Sequence, residues 1–195
     1  MIAGHFGFAA IVKSREPEAP LWSLMFATVW LDIIFVPLFL THIETTEAVR
    51  GTGFVYGGNI IHANYTHSLV GAILLSGLLG AIAERLWGRR VGLVVGLVSF
   101  SHWILDLVVH RGDMPILPGA IGDLRRLGFG LWRFPTISIV VELSLVLIGA
   151  WTYWRSSRAV AAASGRGVIL ASVVSTLIAL SGVLVLVLDV TGAAG

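Results

Sequence analysis

The sequence predicts an all-α fold: a polytopic transmembrane helical bundle of about five spans plus an N-terminal half-helix, forming a single integral membrane domain over residues 1–195. Three observations predict it. Of the residues, 56% are hydrophobic and only 12% charged, with mean hydropathy +0.91, which is too little charge to cover a soluble domain. Four windows, Leu21–Leu40, Val91–Val109, Pro135–Trp154 and Gly167–Leu188, are long enough to cross a hydrocarbon core of ~30 Å, which takes about 20 apolar residues. A fifth, Thr66–Ala83, is shorter but is extended by Trp87, a residue suited to the headgroup level.

The half-helix comes first. Met1–Val12 is apolar, without a basic leader or small-residue cleavage site, so a cleaved signal peptide is not expected. As a helix it would be ~18 Å long, enough to enter the core but not to cross it. The alternative is an anchor helix lying on the membrane surface with His5 among the headgroups. The spans then alternate with short turns and two long loops, Thr41–Tyr65 and Arg111–Phe134. Loops of that length in a compact protein are functional or disordered. Their aromatic, Gly and Pro residues (Phe54, Tyr56, Pro115, Pro118, Phe129, Trp132) favour ordered caps. Small residues recur every four positions at Ser68, Ala72, Ser76 and Gly80, and again at Gly92 and Gly96. Such stripes let helices approach closely in lipid and read as packing.

Charge sets orientation and excludes some classes. Lys13, Arg15, Arg85, Arg89, Arg90, Arg155, Arg158 and Arg166 fall on one side. Arg50, Arg111, Arg125, Arg126 and Arg133 fall on the other. The excess places residues 13–20 in the cytoplasm and the C-terminus outside. Because the arginines sit in turns between spans, the net charge of +2 is a membrane signature and not a nucleic-acid surface. With no cysteine, disulfides, thiolate metal sites and cysteine nucleophiles are ruled out. No Gly-rich phosphate loop, HExxH helix or GxSxG elbow is present.

The informative residues are the ionisable ones inside spans: Asp32, His67, His102, Asp106 and Glu142, with His5 in the half-helix. Such groups are costly in lipid, so they face the bundle interior and take partners. At ~1.5 Å per residue, Asp32 and His102 lie ~12 Å below the outer end, Glu142 ~10 Å and Asp106 ~6 Å. Four spans thus put polar groups in the same outer half, and one shared site is the economical explanation. An inserted half-helix would bring His5 to a similar depth, with its positive dipole end in the bundle.

His102, Asp106 and His110 are spaced i, i+4, i+8 and line one face, with Ser99 one turn earlier. Two histidines and a carboxylate suit zinc or a similar divalent cation, and an Asp can alternatively orient an imidazole. His42, His62 and His110 lie at or beyond the outer interface and read as loop residues. Among them His62, close to His67, is the likeliest to join the site. Asp189 reads as interfacial.

These segments resemble the YdjM-type family of membrane-bound metal-dependent hydrolases of the bacterial inner membrane. The likeness runs through Gly4-His5-Phe6-Gly7-Phe8-Ala9, Leu31-Asp32-Ile33, the Thr66-His67-Ser68-Leu69 element, and Ser101-His102-Trp103-Ile104-Leu105-Asp106 followed by Gly112 and Pro118. It covers residues 1 to about 120. The family commonly has a second acid near Asp32 and a basic residue before Thr-His-Ser, where this chain has Asn64-Tyr65.

The resemblance implies a divalent metal, zinc by donor type, held by His5, Asp32, His67, His102 and Asp106. Asp106 and, from its place inside span four, Glu142 are the expected catalytic carboxylates, with Glu142 as general base. The depth of the site, and a distant similarity to zinc-dependent phospholipases, point to a lipid-linked or amphipathic phosphoester. Membrane lipid is the expected partner, with a homo-oligomer possible and nucleic acid not. One alternative is a small transporter or ion-binding permease using the same Asp, Glu and His residues, which would have to work as an oligomer. Another is a haem cytochrome with His67 and His102 as axial ligands.

Overall fold

The computed structural model describes residues 1–49, 56–122, 124–165 and 167–191. Arg50, Phe54 and Arg166 lie outside the described residues. The helices are α1 (Ile2–Arg15), α2 (Leu21–Thr28), α3 (Trp30–Leu40), α4 (Leu69–Trp87), α5 (Arg89–Val109), α6 (Pro135–Ala163) and α7 (Val168–Thr191). A hairpin, β1 (Thr45–Ala48) and β2 (Asn59–His62), lies between α3 and α4, pairing Thr45 with His62 and Ala48 with Asn59. Four helices are each long and apolar enough to cross a membrane, and α2 with α3 makes a fifth if the bent pair is one span. The fold is the all-α bundle of a membrane protein.

α1 is packed inside the bundle, with Ala3, Gly4, His5, Gly7, Ala9 and Ala10 buried. Its 14 residues give ~21 Å, too short to span. Close approach of α1 to α6 requires glycine at two places. A Cβ on Gly7 would lie 2.5 Å from the Leu145 carbonyl oxygen, and one on Gly149 would run into the Gly7 carbonyl. The small-residue stripe of α4 faces α5 as expected. Ser68, Ala72, Ser76 and Gly80 are all buried, Ser76 Oγ donates to Ser99 Oγ at 3.0 Å, and Gly80 abuts Gly92 and Gly96.

Leu21–Leu40 is not the continuous span the hydropathy predicts. It bends by 44° between α2 and α3. Val29 leaves helical geometry (φ −116°, ψ 11°), and the β-branched pair Thr28-Val29 weakens the helix there. Tertiary partners take up what the break exposes: Thr28 Oγ1 donates to the His5 carbonyl at 3.0 Å, and the Thr28 carbonyl faces His102 Nδ1 at 2.7 Å. α6 runs two turns past the predicted Trp154 to Ala163, carrying Arg158 over the Trp154 ring.

The long loops are ordered caps where described. Met114 and Leu127 form a β-bridge. The carbonyls of Pro115 and Ile116 accept the first N–H groups of α4, from Leu69 and Val70, at 3.0 and 3.1 Å. Ser68 caps the same helix by accepting from the Gly71 N–H. One end of the bundle gathers basic residues, where Arg90 pairs with Glu16 at 3.0 Å and Ser156 reaches the Ser14 carbonyl.

Candidate metal centre

Four elements bring their polar residues to one point. α1 supplies His5, α3 supplies Asp32 next to the bend, and the turn before α4 supplies His67. α5 supplies His102, Asp106 and, just past its end, His110. All but Asp32 are buried. The five residues expected to hold a metal are therefore together, in two overlapping triads: His5–His102–Asp106 and Asp32–His67–His102. Within each triad the ligand atoms lie within 4.8 Å of one another.

The tightest set is His67 Nε2, His102 Nε2, Asp32 Oδ1 and Asp106 Oδ2. The two nitrogens are 3.2 Å apart. Asp32 Oδ1 is 3.5 Å from each, and Asp106 Oδ2 lies 3.6 Å from His67 and 3.2 Å from His102. Metal–ligand bonds of about 2.0–2.1 Å place tetrahedral ligand atoms about 3.3–3.4 Å apart. Five of the six separations within this set are therefore close to those of ligands around one ion.

Hydrogen bonds on the far side of each ring assign the tautomers. The Thr28 carbonyl can only accept, so His102 Nδ1 carries the hydrogen. Thr66 Oγ1 gives its own hydrogen to Glu44 Oε2 at 2.8 Å, and so accepts from His67 Nδ1 at 2.9 Å. His110 Nδ1 donates to Asp113 Oδ1 at 2.8 Å. In its neutral form each of the three imidazoles turns an Nε2 lone pair inward. Bare nitrogens and carboxylate oxygens at these separations repel one another unless a proton or a metal cation lies between them. Two carboxylates beside neutral imidazoles also balance a divalent charge. This outer shell of hydrogen-bonded acceptors is the kind that fixes metal-bound histidines.

His5 forms the next layer, behind Asp106. His5 Nε2 sits 3.1 Å from Asp106 Oδ1, its ring stacks on His102 with centroids 4.0 Å apart, and its Nδ1 is buried without a hydrogen-bond partner among the described residues. Asp106 touches four imidazoles, the last being His110 at 3.7 Å.

His110 corrects the expectation drawn from its interfacial position. It is buried and belongs to the cluster, while His62 is half-exposed and pairs at 3.7 Å with Glu47 on the neighbouring strand. His42 is exposed, at φ +60°. The i+8 spacing put His110 on the face of His102 and Asp106, but its inward turn depends on Asp113. Asp113 follows it by one turn. Burial pushes the Asp113 carboxyl up, but the hydrogen bond and field of His110 and the Ile61 N–H outweigh this and hold it below the usual carboxylate range. Glu44 and the Thr28 carbonyl had no sequence signal.

Glu142 is fully buried, with one oxygen accepting the Gly4 N–H at 2.9 Å and the other the Tyr56 hydroxyl. Burial and that carboxylate push the Tyr56 phenol up, so it stays a donor. With both oxygens engaged, Glu142 fixes the first turn of α1 beside His5 instead of standing free as a general base. Asp189 is part-buried near the end of α7.

Fold and site together define a polytopic helical membrane protein with a buried His/Asp cluster able to hold a metal ion. No protein-family model, curated protein or solved structure matches the chain. The likeness to YdjM-type proteins accordingly rests on the motifs quoted above.

Proposed function

We propose that the chain is a metal-dependent membrane hydrolase that acts on a lipid-linked or amphipathic phosphoester. The observation that carries this reading is the convergence of His67 Nε2, His102 Nε2, Asp32 Oδ1 and Asp106 Oδ2, each oxygen within 3.6 Å of both imidazole nitrogens, with each imidazole held from behind. Imidazole nitrogens with carboxylate oxygens suit zinc. A divalent ion held by His67, His102 and one carboxylate, with the remaining position open to water, would supply Lewis acidity and lower the pKa of that water toward about 7. The chain's residues do the rest: Asp106, which touches every imidazole, receives a proton within the cluster, and His5 steadies its second oxygen. In this reading the basic end of the bundle, with Arg89, Arg90 and Arg155, faces the cytoplasm of a bacterial inner membrane. The test is the metal content of protein purified without chelators, wild type against His102→Ala, with hydrolysis of a phosphodiester lipid analogue followed in parallel. Stoichiometric zinc and turnover in the wild type, both lost in the variant, support the proposal. A metal-free wild type refutes it.

A second reading, an ion-binding permease, is favoured by one observation: the half-helix α1 and the α2–α3 break both end at the cluster, as discontinuous helices do around transported ions. Zinc flux into proteoliposomes without hydrolysis would select it. The haem alternative has no such support, because the Nε2 atoms of His67 and His102 at 3.2 Å are closer than imidazoles on opposite faces of a porphyrin.

A further inference from the structure

Among the described residues, one side chain of the cluster is open and the others are buried. Toward the outer end the cluster is roofed by His110, Asp113, Met114 and Trp132, all buried. Toward the other end lie Thr28, Ser99 and Leu24, each with no exposed surface. His5, stacked on His102, closes the α1 side. Asp32 alone is open: its side chain is 35% exposed, against 5% for His67, 1% for His102 and 7% for Asp106. That opening lies on α3, ~12 Å below the outer end of the span, at a depth where the surroundings are hydrocarbon.

α3 has the features of an opening's rim. Leu31 is its sole buried residue, whereas Ile33, Val36, Phe39 and Leu40 are exposed. Phe35 stands edge-on to His67 with centroids 6.1 Å apart and stacks on Phe39, one turn nearer the outer end. Asp32, Phe35 and Phe39 share a face by the i, i+3, i+7 rule. An ion would thus be approached across a carboxylate and past two aromatic rings. At its base α3 is pinned by the Trp30 indole N–H, which donates to the Leu75 carbonyl at 3.1 Å. Pro37 removes one backbone hydrogen bond farther out.

We propose that the cluster is reached sideways from the bilayer, across the Asp32–Phe35–Phe39 face of α3, and that its ligand is a membrane lipid whose acyl chains stay in the hydrocarbon. The lipid's anionic phosphoester head lies at the ion, and the charges complement: a cation held by Asp32, His67, His102 and Asp106 is the only partner for an anion on that route among the described residues. This rests on the proposed metal reading and narrows its substrate from amphiphiles in general to bilayer lipids that need not leave the membrane.

Two chelators test it on zinc-loaded protein in vesicles. Phenanthroline is neutral and dissolves in lipid, whereas EDTA carries several charges and is excluded from hydrocarbon. Phenanthroline is expected to strip the zinc at least about ten-fold faster. Phe35→Ala, which clears the rim without removing a ligand, should speed stripping by phenanthroline and leave the EDTA rate unchanged. Equal rates for the two chelators in wild type would overturn lateral access. A companion measurement needs no metal. In this cysteine-free chain, Asp32→Cys should react with an uncharged thiol reagent and resist a charged methanethiosulfonate added from either side. Rapid labelling by the charged reagent would also overturn the proposal. Because the thiol result stands whether or not zinc binds, a chain that holds no metal refutes the metal reading separately from the lateral opening.

Discussion

Replacing His102 with alanine removes the one side chain common to both triads of the cluster. Its Nε2 is within 3.5 Å of His67, Asp32 and Asp106, so no other side chain can take its place without moving all three. Four-ligand zinc sites bind with about 10–16 kcal/mol. One of four equal ligands then contributes about 2.5–4 kcal/mol, or roughly 10²–10³-fold in Kd at 1.4 kcal/mol per decade. His67→Ala and Asp106→Ala should match it, and combining them should lower metal occupancy little further. Thr66→Val, which removes only the support behind His67, should cost about 10–100-fold. His110→Ala belongs in that smaller class, because His110 touches Asp106 from outside the four-atom set, and the exposed His42→Ala should equal wild type. The assay is elemental analysis with zinc titration by calorimetry, backed by melting curves. Zinc at 100 times its Kd should stabilise wild type by about 2.7 kcal/mol and leave His102→Ala unmoved at that concentration. If wild type purified without chelators holds no zinc, and added zinc neither binds nor raises its melting temperature, the reasoning from ligand spacing is wrong.

Gly149→Ala puts a methyl group into the Gly7 backbone and should destabilise by about 1–3 kcal/mol. Gly77→Ala meets nothing within 4 Å and should be neutral or stabilising by up to about 1 kcal/mol, which paired thermal melts in detergent would show. Asp113→Asn weakens a charge-assisted bond to His110 and should cost about 2 kcal/mol at neutral pH. Because the folded carboxyl titrates below its unfolded value, near 3.9, that contribution is complete above this pH and fades as pH falls below it. Melting curves of the two proteins should therefore stay a constant distance apart from pH 7 to 5 and converge in acid; a gap that closes near neutrality would contradict the assignment. Single cysteines at Glu47 and Arg89 should be labelled from opposite sides of the membrane, Arg89 from the cytoplasm. Impermeant reagents on sealed cells decide this, and labelling of both from one side would refute the topology.

What the sequence determined by itself follows from solvent. Backbone groups in lipid must be satisfied by helices or a closed barrel, and apolar runs of about 20 residues select helices; the hydropathy windows located α4 to α7 to within a few turns. Charge in lipid is so costly that the positions of Asp32, His67, His102, Asp106 and Glu142 alone predicted a shared interior site. Helical periodicity put His102, Asp106 and His110 on one face. It could not tell that His110 turns inward, because that depends on Asp113 and on a roof including Trp132 drawn from a distant loop.

Only the tertiary structure decided the rest. Hydropathy is blind to the bend at Val29, which is stabilised by bonds from Thr28 to His5 and His102, 23 and 74 residues away. The insertion of α1, left open by its length, is settled by glycine contacts with α6 and by the Glu142 carboxylate on Gly4. The support behind His67 comes from Glu44 through Thr66, a pairing set by the path of a loop and absent from any local pattern. Burial cost is a property of each residue and its neighbours in sequence, so it is legible there. The direction of a lone pair depends on partners that only the folded chain brings near.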